Sequence, residues 1–327
     1  MKNNRFKFDM ISIGDATLDT FFKLQEALLI PMYEEHNPML CLPYADKMPI
    51  EEFSQKIAGN ALNNAVGSSR LGMRSAFYSI LGNDDSGKKI LAGIKKEGVS
   101  TKYVQIDKTK PTNFTAVLNY EGERTQLIYR VDRKYSLPKL ETSKWVYYTA
   151  VGKNHVNMES EIVEYIKKTG TQLGFNPGAY QLKRGAESLK EVLLNTHVLF
   201  VNKEESYKLV GRGEVNVLLR QLHKIGPKIV VVTDGSKGAY SFDGKDMYHM
   251  PVFPIKIVEM TGAGDSFATA FIGALHYDKD IKEALRWGTA NSTSVVLQVG
   301  PQDGLLNRAG IEKILKKHAK VKPIKIK

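Results

Sequence analysis

Along most of the chain, short apolar runs rich in β-branched residues alternate with longer stretches whose apolar positions recur at helical spacing. In the second half, residues 145–149, 172–175, 198–201 and 229–233 read as strands, and 158–168, 184–194 and 215–225 between them read as helices. Strand, helix, strand is the order that parallel pairing requires, because parallel neighbours must be joined by a long crossover. The pattern therefore predicts an α/β fold of three layers, a mostly parallel central sheet flanked by helices on both faces. Ligands of such sheets sit outside the carboxyl ends of the strands, and chemistry is expected there.

Two stretches break the rhythm. Residues 21–52 are rich in proline and aromatic residues and lack helical period, while 115–120 and 125–130 flank Glu121, Gly122 and Glu123 as a β-hairpin. Paired as one small sheet, these segments would form a lid, built from about residues 20–54 and 112–132, that covers the strand ends and keeps water from a reaction. Edge strands with no such role have the same sequence pattern. The chain contains no internal repeat, low-complexity tract or long linker, so 1–327 is expected to be one domain with an appended lid. Strands exposed on one face leave open both a monomer and a homodimer paired through the lid.

Composition narrows the function classes. No apolar run approaches the roughly 18 to 20 residues a membrane span needs, and the first nine residues are polar and basic without a signal-peptide core. A cytoplasmic protein with no membrane partner is expected. The single cysteine, Cys41, excludes an intramolecular disulfide and a multi-cysteine zinc site, and the seven histidines show no ligand spacing. The formal charge of +12 comes from dispersed lysines and arginines. In the densest run, 316–327, lysines alternate with Val, Pro and Ile and no aromatic residue is available to stack on bases, so no nucleic-acid partner is expected. The basic surface favours small anionic ligands instead.

The most informative segment is Glu259, Met260, Thr261, Gly262, Ala263, Gly264, Asp265, Ser266 and Phe267, which follows an apolar stretch ending at Val258. It leads into a helix carrying Phe271, Ile272 and Leu275. Gly262, Ala263 and Gly264 have almost no side chain, so N–H groups at the helix start can approach an anion, with the helix dipole adding attraction. Asp265 at the same place would repel a phosphate unless it takes a proton from a hydroxyl attacking the phosphoryl group. Read alone, Asp265 is equally a helix N-cap.

The run from Thr261 to Phe267 resembles the C-terminal signature of the ribokinase (PfkB) family of carbohydrate and nucleoside kinases. Further segments follow in family order. Ala58, Gly59, Asn60, Ala61, Leu62, Asn63, Asn64 and Ala65 are similar to the N-terminal signature, with Ala58 where the family has glycine. Small residues there would let substrate hydroxyls approach the backbone, and the Asn63 amide offers donor and acceptor together. As a polar residue early in a helix, Asn63 also has a purely structural reading. The opening strand and Gly14, Asp15, Ala16, Thr17, Leu18, Asp19 resemble the family's first strand and substrate aspartate. That placement favours Asp19 as the sugar ligand over Asp15, which stands closer to the strand end; either is also a turn residue by composition. Asn202, Lys203, Glu204 and Glu205 are similar to the family's Asn-x-x-Glu element, which implies that Asn202 and Glu205 organise Mg²⁺, water and nucleotide phosphates. By themselves these residues read as a helix cap. Thr233, Asp234, Gly235, Ser236, Lys237 and Gly238 look like the nucleotide-binding turn, with Thr233 and Gly235 toward the nucleotide, or like an ordinary turn. Asn291 lies in the predicted helix 281–296, whose family counterpart lines the adenine pocket.

The resemblance implies a ribokinase-like kinase that transfers the γ-phosphoryl group of ATP to a hydroxyl of a sugar or sugar derivative. Substrate is held by Asp19, Gly59, Asn60 and Asn63, Asp265 is the base, and Gly262, Ala263 and Gly264 form the anion hole. The nucleotide meets Asn202, Thr233, Gly235, Gly264 and Asn291, with Mg²⁺ near Glu205 through water. Glu259 and Met260 stand where the family has Asp-Thr, which counts against its monovalent-cation site. A nucleoside acceptor is the alternative, favoured by an aromatic platform at Phe21, Phe22 or Tyr33; a catalytically silent sugar-binding protein is a third reading. Gly82 to Lys89 nearly fits a P-loop, but Lys89 replaces the Mg²⁺-binding hydroxyl and Asp84 and Asp85 would repel phosphates. Asp85 is expected to cap the helix carrying Ile90 and Ile94.

Overall fold

The computed structural model describes residues 5–32 and 38–327. Residues 1–4 of the polar N-terminus and Tyr33 lie outside the described residues. The large sheet has ten strands. From Ser100–Asp107 through Ser75–Gly82, Phe8–Ile13, Ser143–Tyr148, Gln172–Phe175 and Val198–Asn202 to Ile229–Thr233, every pairing is parallel. Ala239–Phe242, Met247–Met250 and Ile324–Ile326 then extend the edge antiparallel.

Side-chain alternation divides the core between two faces. Ile11, Ile13, Val146, Tyr148 and Leu173 pack with Met158, Ile162 and Leu222 from helices Val156–Thr169 and Val215–Lys224. Met10, Trp145, Tyr147 and Phe200 pack on the other face with Phe267, Phe271 and Leu285 from helices Ala263–His276 and Ile281–Val295. Strands buried on both faces must be apolar throughout, which is why 198–201 and 229–233 were legible as uninterrupted runs. No helix among the described residues is long and apolar enough to cross a membrane.

Strand Phe8–Ile13 is the point where the chain reverses its direction of travel through the sheet, lying between Ser75–Gly82 and Ser143–Tyr148. A crevice opens beyond the carboxyl end of such a strand. Over it stands a separate sheet in the order Ile50–Ala58, Thr17–Leu24, Phe114–Tyr120, Glu123–Tyr129. The last two strands form the expected hairpin, joined by Glu121 and Gly122 alone, with φ of 50° and 81°. Two left-handed residues are what a tight hairpin turn demands, so the first strand ends at Tyr120 as expected while the second begins at Glu123, two residues nearer the turn than the sequence pattern suggests.

Two local expectations need correction. The predicted helix 184–194 is two short pieces, Gly185–Ser188 and Lys190–Leu194, separated at Leu189, and the left-handed φ of 76° at Gly185 divides them from a further piece, Ala179–Lys183. Asp84, not Asp85, caps helix Asp85–Lys96 and accepts from the Gly87 N–H at 2.8 Å. Its carboxylate also accepts from the N–H and hydroxyl of Thr112 at 2.7 and 2.6 Å, anchoring the base of the hairpin. Asp85 is the first helical residue and is exposed.

Candidate active site

The crevice is a cleft of about 1140 Å³ lined by the ends of the parallel strands, the start of helix Ala263–His276 and the inner face of the small sheet. Gly262 caps that helix in the left-handed region, φ 79°, where a Cβ would collide with Pro301. A Cβ at Gly264 would stand in open space, and Gly264 lines the cleft. Of the three residues expected to form the anion hole, Ala263 has its N–H engaged by the Met260 carbonyl at 3.3 Å. The N–H groups of Gly264 and Asp265, at the second and third helical positions, have no acceptor within the helix and are the ones available to an anion.

Asp265 does not cap the helix; it is the third helical residue and is buried. Burial pushes its carboxyl up to about 6, Glu205 adds to the rise, and a hydrogen bond from Asn63 opposes it. The Asn63 amide donates to Asp265 at 2.9 Å and accepts from the Gln302 side chain at 3.0 Å. Asn63 therefore lines the cleft as expected but holds the aspartate, with its amide engaged on both ends. Gln302 carries no sequence signal, since it lies 239 residues from its partner.

Asp19, Gly59, Asn60 and Asn63 all reach the same half of the cleft. Gly59 has φ 122°, and a Cβ there would stand 2.4 Å from the Asp15 carbonyl oxygen, so the helix start can press against the turn after the first strand only without a side chain. Asp19 is buried and its Oδ1 has no hydrogen-bond partner among the described residues. Burial raises its carboxyl to about 6; the Thr115 and Thr17 hydroxyls pull it down and Glu259 pushes it further up. A buried orphan acceptor costs about 1–3 kcal/mol, which a ligand hydroxyl donating to it would offset. Asp15 lines the same half and accepts from the Tyr135 hydroxyl at 2.9 and 3.0 Å. It too is pushed up to about 6 by burial, against the pull of Arg130, Tyr135 and Arg133.

On the other side, Asn202, Glu205, Thr233 and Gly235 line the cleft, joined by Ser236. Asn202 Oδ1 accepts from the Glu205 N–H at 2.7 Å and Glu205 Oε2 accepts from the Asn202 N–H at 2.9 Å, a reciprocal helix cap. The Glu205 carboxyl is raised, chiefly by burial. Asn291 is not brought to the cleft. It is fully buried, donating to the Ser266 carbonyl at 2.8 Å and accepting from the Leu306 N–H at 2.9 Å, whereas Thr289, Ser292 and Thr293 of the same helix are the residues that line it.

The small sheet contributes Arg124, Gln126, Ile128 and Arg130, alternate positions that share one face. Arg124 lies 3.9 Å from Glu259 and Arg130 lies 3.8 Å from Asp15. Glu259 in turn accepts from the Gly300 N–H at 2.8 Å and from the Thr261 hydroxyl. Among the described residues no cluster of three or more His, Cys, Asp or Glu is arranged to hold a metal. Of the nominated aromatic residues, Phe21 is buried, Phe22 packs on Phe53 at 5.7 Å between ring centres, and neither lines the cleft.

Residues 28–308 match the profile of the pfkB family carbohydrate kinases. The chain is 23% identical to the ATP-dependent 6-phosphofructokinase of Thermoanaerobacterium thermosaccharolyticum over 310 residues, 90% of this chain and 89% of that one. It is 24% identical to the 5-dehydro-2-deoxygluconokinase of Bacillus subtilis over 338 residues, 96% of this chain and 97% of that one. Its fold superposes on the structure of Arabidopsis thaliana ribokinase complexed with ribose and ATP with a TM-score of 0.78, at 21% identity, covering 94% of this chain and 99% of that one.

Proposed function

Because the chain belongs to the pfkB family of carbohydrate kinases and is thus a phosphotransferase, we propose that it transfers the γ-phosphoryl group of ATP to a sugar hydroxyl with Asp265 as the base. The observation that carries this reading is the conjunction of Asp265 and the free N–H groups of its own helix start, which puts a proton acceptor beside an anion hole. A base that works near neutral pH is most efficient with a pKa close to it, and burial places Asp265 at about 6. Asp19 and Asp15 accept the other hydroxyls of the acceptor. Asn63, oriented by Gln302, fixes the carboxylate so that its second oxygen faces the reacting hydroxyl. Charge that develops on the phosphoryl oxygens is met by the Gly264 and Asp265 N–H groups and the dipole behind them.

Thr233, Gly235 and Ser236 fit the nucleotide on the strand-end side, with Thr289, Ser292 and Thr293 toward the base. Magnesium is bound mostly through phosphate oxygens and water, so a site with few protein ligands suffices. Glu205 suits it: its carboxylate is destabilised by burial, and a divalent charge nearby restores the ionised form. When bound, the ion supplies charge neutralisation at the phosphates. Glu259 does not fit a monovalent cation, since it already accepts from Gly300 and Thr261 and faces the Arg124 guanidinium. The small sheet acts as the lid, its inner face closing over the acceptor and excluding water.

ADP release from MgATP across pentoses, hexoses, sugar acids, sugar phosphates and nucleosides tests the reading. Asp265→Asn is expected to fold normally and to lose about 10² to 10⁴ in rate. Unchanged turnover would remove Asp265 from the base role, and acceptor binding with no turnover of any compound would leave a silent binding protein.

A further inference from the structure

We propose that Arg130 forms an anion subsite in the acceptor half of the cleft, and that the acceptor is an anionic sugar, either a sugar acid or a sugar phosphate. The inference rests on the kinase reading and narrows its substrate. Arg124 and Arg130 are the only lysine or arginine residues lining the cleft among the described residues. Four arginines elsewhere are committed to carboxylates: Arg70 forks onto Glu97 at 2.8 and 2.9 Å, Arg74 onto Asp9 at 2.7 and 3.0 Å, and Arg184 and Arg286 each reach one at 2.7 Å. The two cleft arginines are not committed in this way, and Arg130 is the one on the acceptor side. Its nearest carboxylate, on Asp15, is 3.8 Å away, inside ion-pair range but beyond a hydrogen bond. That contact orients the guanidinium while leaving its fork of N–H donors unused, and a planar fork is matched by the paired oxygens of a carboxylate or a phosphate.

Position decides which ligand Arg130 serves. It follows the Glu123–Tyr129 strand at the end that overlies Asp15, Asp19 and Asn113, the polar groups of the acceptor half. Arg124 sits six residues away, about 20 Å along an extended strand, over the Glu259 loop that leads to the anion hole, too far to share one sugar's anionic group. The two carboxylates on the floor attract hydroxyl donors and repel an anion. A sugar with one charged end is therefore oriented with its hydroxyls toward Asp15 and Asp19 and its charge toward the lid. A neutral sugar leaves the Arg130 fork without a partner in a closed site.

The test measures binding calorimetrically with MgADP saturating the nucleotide half, so that added anions cannot occupy the phosphate positions there. Fructose is compared with fructose 6-phosphate, glucose with gluconate and glucose 6-phosphate, and ribose with ribose 5-phosphate. At least one anionic compound should bind at least about tenfold more tightly than its neutral counterpart, and Arg130→Gln should bring that ratio close to one. Gluconate against glucose 6-phosphate tells a carboxylate subsite from a phosphate one. Equal affinity of every neutral and anionic pair, or an equal effect of Arg130→Gln on both members, overturns the proposal. Turnover of the same compounds with MgATP separates the two readings: neutral sugars phosphorylated without charge preference sink the subsite and leave the kinase, whereas charge-selective binding without turnover keeps the subsite and sinks the kinase.

Discussion

Three buried aspartates share the cleft, and at the scale of single residues their chemistry is governed by one effect. Burial disfavours the charged form, so Asp15, Asp19 and Asp265 are each raised from 3.8 to about 6. A carboxyl with a raised pKa becomes an available base only as pH climbs through that value. In the free enzyme, kcat/KM measured against pH should therefore level off above about 6 and fall at least about tenfold per unit below it, more steeply if Asp15 and Asp19 must be ionised as well as Asp265. The charge of Glu205 contributes to the rise, so Glu205→Gln should move this acid limb to lower pH whatever it does to the height of the plateau. A limb that does not move would show that burial alone sets it. Asp265 was legible in the sequence because its chemistry is local, a carboxylate within a run of small residues at a helix start. Gln302 and Tyr135 were not, since each meets its aspartate or asparagine only through the fold.

Two helices, Asn60–Arg70 and Ala263–His276, meet through adjacent asparagines that do different work. Asn63 faces the cleft and holds Asp265. Asn64 faces inward, accepting from the Ser12 hydroxyl at 2.6 Å and donating to the Thr269 hydroxyl at 3.0 Å, while Thr269 donates to the Asp265 carbonyl at 2.7 Å. Asn64 thus pins the first strand and the two helices together. Asn64→Ala leaves the Ser12 hydroxyl buried without an acceptor and should cost about 2–4 kcal/mol in denaturant unfolding. Asn63→Ala removes a partner from Asp265 and Gln302 beside the cleft, where water can take its place, and should cost less than Asn64→Ala while lowering kcat. Equal destabilisation by the two would make Asn63 a structural residue. The sequence pattern showed both asparagines at a helix start but not which one turned inward, because a single helix register decides it and polar residues do not mark a buried face. The same limit explains Asn291: its helix follows from the periodicity, but Asn291 faces inward and its neighbours Ser292 and Thr293 line the cleft.

For the molecule as a whole, the small sheet has two faces with opposite characters. Asp19, Thr115 and Ile128 lie in one row across three strands and face the cleft; alternate rows carry Phe22, Phe53 and Leu127 on the far side. Phe53 and Leu127 are 59% and 56% exposed there. The segments that form this sheet were legible as a break in the α/β rhythm, whereas their pairing order was not, because Thr17–Leu24 pairs in parallel with a strand about a hundred residues on. A sheet with solvent on an apolar face gains by covering it, and a second copy of the same face is self-complementary about a two-fold axis. The chain is accordingly expected to sediment at twice its 36.6 kDa mass, and Phe53→Glu with Leu127→Glu should return it to the single-chain mass. Those residues point away from the cleft, so the double variant should keep ADP release within a few-fold of the parent unless the partner steadies the lid. A parent that sediments as a single chain would show that the face stands free and that lid closure needs only the ligand beneath it.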